Sequence, residues 1–272
     1  MSVLAIDVGN TNVVLGLFSD DKVLGQWRLQ TLPKRPADEY AALMSVLLSG
    51  VPQGTESADH ASGGCAVDRR VEGIVLASVL QDGCSSVLTA CQILFEVEIL
   101  EVKSAIDIGI PVAYDPPSAL GIDRALNAAA AYHLYGGPCI VVDMGTATTY
   151  DVVSAQGVFL GGAIAPGIAA GREALLREAP RLPWFELLRP SSVVANTTRE
   201  CLQSGTVIGA IAQIEGMIAR IRGEIGAEAV TVATGGLSAV VNSNASCFDH
   251  CEPMLTLYGL RDVWERRSRP LV

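Results

Sequence analysis

One short pattern occurs twice in this chain, and its repetition constrains the fold more than any other feature. The first copy is Val3-Leu-Ala-Ile-Asp-Val-Gly-Asn-Thr-Asn-Val-Val-Leu-Gly-Leu-Phe18. The second is Cys139-Ile-Val-Val-Asp-Met-Gly-Thr-Ala-Thr-Thr-Tyr-Asp-Val-Val-Ser154. Each is an apolar, β-rich run that meets an aspartate, turns through a glycine and small polar residues, and resumes as a second apolar run. Such a pattern predicts a β-hairpin. The turn carries more polar capacity than a hairpin needs. Asp7 or Asp143 closes the first strand, and Gly9 or Gly145 lets backbone N–H groups come close to a ligand. Hydroxyl and amide side chains add neutral donors. A turn so built can cradle phosphate oxygens while its carboxylate holds a hydrated cation. Two copies imply two related domains.

Length and composition bound the rest. A chain of 272 residues divides comfortably into two domains, each able to bury its own core. Half the residues are hydrophobic, yet Asp, Gly, Arg or His interrupts every candidate membrane run. The N-terminus has no basic region, and its apolar run meets Asp7 at once, which argues against a secretory signal. A formal charge of −10 argues against nucleic acid as a partner. The expectation is a cytoplasmic protein with no membrane partner. Seven scattered cysteines without a Cys-x-x-Cys pair read as reduced thiols. Cys247-Phe-Asp-His-Cys251 gathers soft ligands, but its spacing matches no common zinc module and reads as loop residues.

Between the two hairpins the pattern predicts strands over 23–31, 71–79 and 97–102 and helices over 37–48 and 85–95. The small, polar stretch 50–70 reads as a surface insertion. This order of strands and helices implies a mixed sheet with helical crossovers. Tyr114-Asp-Pro-Pro-Ser-Ala-Leu-Gly-Ile-Asp-Arg124 then leads into the Ala-rich helix 125–135, which Ser118 or a neighbour could cap. Asp123 and Arg124 fall at its start, where an acid is favoured by the helix dipole whether or not it has another task. After the second hairpin come a strand from 157 ending near Pro166 and Gly167, and a helix over 168–178. A long helix capped by Thr197 or Thr198 runs to Arg222, with Gly205 and Gly209 suited to close packing. The strand Val230-Thr-Val-Ala-Thr-Gly-Gly-Leu237 ends in a glycine turn, and a charged helix closes the chain.

Two Asp-Gly hairpins followed by a late Thr-Gly-Gly turn resemble the actin, sugar-kinase and acetate-kinase superfamily. That resemblance implies two ribonuclease-H-like (actin-like ATPase) α/β domains, 1–118 and 119–272. Each would have a mixed five-stranded sheet flanked by helices, with a cleft between the domains and the last helix packed back on the first.

The motifs in order are more specific. Asp7-Val-Gly-Asn-Thr11, Asp38-Glu-Tyr40, Gly121-Ile-Asp-Arg124, Asp143-Met-Gly-Thr-Ala-Thr-Thr149, Gly161-Gly-Ala-Ile-Ala-Pro-Gly167, Leu182-Pro183, Thr198 before Gly205, and Leu255-Thr-Leu-Tyr-Gly-Leu260 resemble type III pantothenate kinases over nearly the full length. The resemblance implies ATP-dependent phosphorylation of pantothenate, the first step of coenzyme A synthesis, with Mg²⁺ and a monovalent cation (K⁺ or NH₄⁺). Asp7, Val8, Gly9, Asn10, Thr11, Asn12, Val13 and Val14 would form the ATP phosphate site, Asp7 holding Mg²⁺ through the phosphates. Thr146 would also contact ATP, and Asp143 would bind the monovalent cation. Asp123 would be the general base, and Tyr114, Gly121, Ile122, Asp123 and Arg124 would line the pantothenate pocket. Thr198 would reach the substrate across a homodimer interface. The chain departs from the family pattern at Pro116 (usually Asn), at Ile122 (usually Ala) and at Ser78-Val-Leu-Gln81 (usually Ser-Val-Val-Pro), changes that bear on pocket shape rather than on chemistry. Other readings are another small-molecule kinase or polyphosphate hydrolase of this fold, or a catalytically silent ATP-binding regulatory module.

Overall fold

The computed structural model describes residues 2–32, 34–50, 71–80, 84–243 and 245–268. The expected insertion at 50–70 falls, except for Gly50, outside them. Among the described residues, ten strands form two five-stranded sheets.

In the first sheet, β1 (Ser2–Val8), β2 (Asn12–Ser19) and β3 (Lys22–Gln30) form an antiparallel meander. Helix α1 (Ala37–Ser49) leads to β4 (Gly73–Ser78), and α2 (Cys84–Leu94) leads to β5 (Glu98–Val102). Both of these strands run parallel to β1, in the order β3-β2-β1-β4-β5. Because a parallel neighbour needs a crossover, helices cover the sheet, and β1 is apolar on both faces: Val3, Leu4, Ala5, Ile6 and Val8 are all buried. Tyr40, Ala41, Met44 and Leu48 recur at helical spacing along α1 and are its buried stripe. Burying each of the larger ones is worth about 1.5–3 kcal/mol.

The second sheet repeats the plan. Strands β6 (Cys139–Met144), β7 (Ala147–Val153) and β8 (Phe159–Pro166) form the meander, while β9 (Val230–Thr234) and β10 (His250–Cys251) add parallel strands in the order β10-β9-β6-β7-β8. Its helices are α3 (Ile122–Tyr135), α4 (Ile168–Glu178), α5 (Thr198–Gln203), α6 (Gly209–Ile225) and α7 (Ser238–Asn242). Ile211, Ile214 and Ile218 of α6 join Ile140, Val142 and Tyr150 in the second core.

Helix α8 (Leu255–Ser268), the expected charged helix, ends the described chain. Its Trp264 ring occupies the space a side chain at Gly73 would need, and its Leu257 does the same at Gly16. Two compact units result. One combines Met1–Asp107, Gly121–Asp123 and Thr256–Val272, and the other Ile108–Leu120 and Arg124–Leu255.

The long helix expected from Thr198 to Arg222 is interrupted by a π-helical turn over Ser204–Ile208. Thr197 caps it, its hydroxyl accepting from Glu200 N. A side-chain carbon at Gly205 or Gly209 would meet no neighbour within 4 Å, so the close packing expected of them is not made among the described residues. Ser118 lies in a short 3₁₀ turn, Pro117–Ala119, that ends before α3 begins. No helix among the described residues is long and apolar enough to cross a membrane.

Candidate active site

The first hairpin turn is tied down by its neighbours. Gly9 N donates to Asn12 O at 2.9 Å, and Thr31, at the end of β3, binds the loop twice. Its N donates to Thr11 O at 2.9 Å and its hydroxyl to Gly9 O at 2.8 Å. Asn10 and Thr11 remain exposed at the tip. Asp7 and Val14 face each other across the ladder, both half-buried on one face of the sheet. Val8 and Val13 are fully buried and support the turn from within the core, unlike its exposed tip.

The second turn is one residue shorter. Asp143 pairs with Thr149, whereas Asp7 pairs with Val14. Gly145 N donates to Ala147 O at 3.0 Å, and Thr146 is exposed at the tip. Two distant glycines make room for this turn. A side chain on Gly167, at the start of α4, would collide with Thr146 O, and one on Gly235, after β9, would collide with Asp143 Oδ1. Gly235 also has φ +91°, a conformation that favours glycine. The late Thr-Gly-Gly turn therefore lies directly against the hairpin carboxylate.

Antiparallel register puts Thr149 opposite Asp143, and Asp151, two residues on, points to the same face. Helix α3 covers that face. Its apolar and alanine positions from Ala125 to Ala131 are buried all round, so small side chains bring it close. Arg124 and Asn127, one turn apart, each grip a carboxylate. Arg124 Nε donates to Asp151 Oδ1 at 2.8 Å, and Nη2 lies 2.7 Å from the same oxygen. Thr149 Oγ1 donates to the other Asp151 oxygen at 3.0 Å. Asn127 Nδ2 donates to Asp143 Oδ2 at 3.0 Å. Tyr114 completes the group. Its ring lies under the Arg124 guanidinium, 5.7 Å from Cζ to centroid, and its hydroxyl is hydrogen-bonded to it.

Burial works to lower the Arg124 pKa, but the Asp151 charge and the bonds to Asp151 and Tyr114 outweigh it and raise the value. Arg124 is therefore a fixed, permanently charged group. Asp123 precedes it, half-buried in the first turn of α3, after Gly121 and the buried Ile122. Thr198 is exposed as the first residue of α5.

Asn127, Thr149 and Asp151 were not singled out as site residues in the sequence, although one signal was present for Asp151. It is a lone acid between Tyr150 and Val152 in an apolar strand, and buried acids are rare unless paired. At the other motif, Asp249 accepts from Thr231 N and Oγ1, each at 2.8 Å, while Cys247 and Cys251 pack against the second core. No group of three potential metal ligands occurs among the described residues.

The family model described as type III pantothenate kinase matches residues 3–220. A type III pantothenate kinase from Moorella thermoacetica is 41% identical over 272 residues, covering 97% of this chain and 99% of the relative. Another, from Parafrankia sp., is 42% identical over 267 residues, covering 98% and 99%. Among solved structures, a protein described as a Baf family transcriptional activator from Campylobacter jejuni superposes with a TM-score of 0.60 at 19% identity, over 97% of this chain and 98% of that one. Component A of (R)-2-hydroxyglutaryl-CoA dehydratase from Acidaminococcus fermentans gives 0.50 at 11%, over 99% and 100%. The structural likenesses carry the fold alone. The sequence matches, running nearly end to end, carry the family: the chain belongs to the type III pantothenate kinases.

Proposed function

We propose that the chain transfers the γ-phosphoryl group of ATP to the primary alcohol of pantothenate, giving 4′-phosphopantothenate and ADP. The observation that carries this is the near full-length family match; Asp123 and Arg124 stand together at the start of α3. Asp123 takes the hydroxyl proton as that oxygen bonds to the γ-phosphorus and the bond to the ADP oxygen breaks. A positioned base of this kind contributes roughly 10²–10⁴-fold. Arg124, its charge and direction fixed by Asp151, lies with Tyr114, Gly121 and Ile122 in the pantothenate pocket and offsets the negative field of the chain at the substrate carboxylate. Gly9, Asn10, Thr11 and Thr146 offer neutral donors to the ATP phosphates, with Val8, Asn12, Val13 and Val14 contributing through the same loop.

The donor sets fit the implied ions. Mg²⁺ is commonly held by one or two carboxylates plus nucleotide oxygens, and Asp7 at the mouth of the first turn can be that carboxylate. Asp143, half-buried near the end of β6 in the second hairpin, offers the carboxylate for the monovalent cation. Bound there, the ions would supply positive charge to the developing phosphate.

The working form is a homodimer with Thr198 contributed to the neighbour's site. Supporting this, Thr198 is exposed, Val193 and Val194 just before it are 67% and 88% exposed, and Gly205 and Gly209 leave an open helix face. A coupled ADP-release assay across pantothenate, sugars and acetate tests the activity. Release that depends on pantothenate alone is the expected result. Release without any acceptor would mark a hydrolase instead, and none under any condition would favour a silent regulatory module.

A further inference from the structure

Asp143 is held by a residue that no motif above includes. Asn127 lies inside the alanine-rich part of α3, 1% exposed, and its Nδ2 donates to Asp143 Oδ2 at 3.0 Å. A polar amide in such a position costs free energy unless its bonds are made, so its presence in the stretch 125–131, otherwise Ala and Leu, needs a reason. The two carboxylate oxygens have different surroundings. Oδ2 takes the amide, while Oδ1 lies against the backbone of Gly235, where a side-chain carbon would collide with it. We infer that Asn127 is a positioning residue: it fixes the rotation of the Asp143 carboxylate and so sets the geometry this carboxylate offers to the monovalent cation.

The inference rests on the reading of Asp143 as the cation carboxylate. Its physical basis is that of groups behind a metal ligand. A donor on the far oxygen removes rotational freedom and directs the near one, and losing such a partner typically weakens ion binding 10–100-fold. Asn127 also stands four residues after Asp123 on α3, so the helix that carries the proposed base is pinned to the ion's ligand.

The test uses the full chain with a non-hydrolysable ATP analogue and Mg²⁺. Thermal midpoints are followed while KCl replaces choline chloride at constant ionic strength, and steady-state rates are followed with ATP in parallel. Wild type should gain stability with K⁺. Asn127→Ala should need at least about tenfold more K⁺ for half the effect in both measurements. Asn127→Leu, which keeps the volume and removes the donor, should shift likewise and serves if the truncation unfolds the chain. Asp143→Asn should lose most of the response. Asn127 variants that melt lower in choline but keep the wild-type K⁺ midpoint would overturn the inference, leaving Asn127 as packing. A wild type indifferent to K⁺ and NH₄⁺ would overturn the cation reading of Asp143, and the role of Asn127 with it.

Discussion

Two nitrogens of Arg124, Nη2 and Nε, close on the single oxygen Oδ1 of Asp151 at 2.7 and 2.8 Å, in a pair whose side chains are 8% and 0% exposed. Removing one partner of a buried pair strands the other charge, at a cost of about 3–5 kcal/mol. Asp151→Asn is therefore expected to lower unfolding free energy by about that amount in urea titrations and to raise the KM for pantothenate by loosening Arg124. Arg124→Lys should not substitute, because a single ammonium cannot bring two separate nitrogens onto that oxygen. A loss below about 1 kcal/mol for Asp151→Asn would mean the pair is not the anchor described.

A second carboxylate shapes the pH dependence of stability. Asp249 has its pKa lowered from 3.8, chiefly by the backbone N–H of Thr231, with its hydroxyl and Arg222 adding to the effect against burial. A carboxylate depressed in the folded state stabilises above its unfolded pKa, and that stability is lost as pH falls through the folded value. Asp249→Asn should therefore be less stable than wild type at pH 7, with the gap closing below about pH 4. Urea midpoints compared between pH 3 and pH 7 check this; a gap that stays constant would locate the stabilisation elsewhere. Because the side chain is about half exposed, the effect should be modest.

Much of this architecture was legible because local signals agreed with the tertiary plan. An apolar run stopped by Asp7 or Asp143 and a glycine has few alternatives to a hairpin, and both copies formed one. Residues Asp38 and Glu39 and the apolar spacing of 37–48 likewise predicted α1 within a residue of its end. What was hidden depends on contacts distant in sequence. Asn127 looked like one polar interruption in an alanine helix until β6 brought Asp143 beside it. The need for glycine at 235 follows from the position of Asp143, which no pattern within 230–237 encodes. Nor did the run from Thr198 to Arg222 signal the π turn at Ser204–Ile208, where Ser204 Oγ donates to Val193 O at 2.7 Å. That bond links the turn to a loop eleven residues earlier.

The proposed sharing of each site between two protomers predicts an unusual complementation. Take Asp123→Asn and a bulky change at Thr198, each nearly inactive as a homodimer, and mix equal amounts through a dissociation and reassembly step. In a two-fold dimer, half the re-paired molecules are mixed, each with one doubly altered and one intact site. About a quarter of wild-type activity should return. No recovery after verified subunit exchange would put Asp123 and Thr198 in action within one chain.

The central claim is phosphoryl transfer from ATP to pantothenate with Asp123 as the base, and ³¹P NMR of the running reaction tests it most directly. Wild type with Mg·ATP and pantothenate should convert the γ-phosphate signal into a phosphomonoester coupled to a CH₂ group, with little inorganic phosphate. Asp123→Asn should form the same product at least about 10²-fold more slowly. Inorganic phosphate as the main product, or a variant within a few-fold of wild type, would contradict the account.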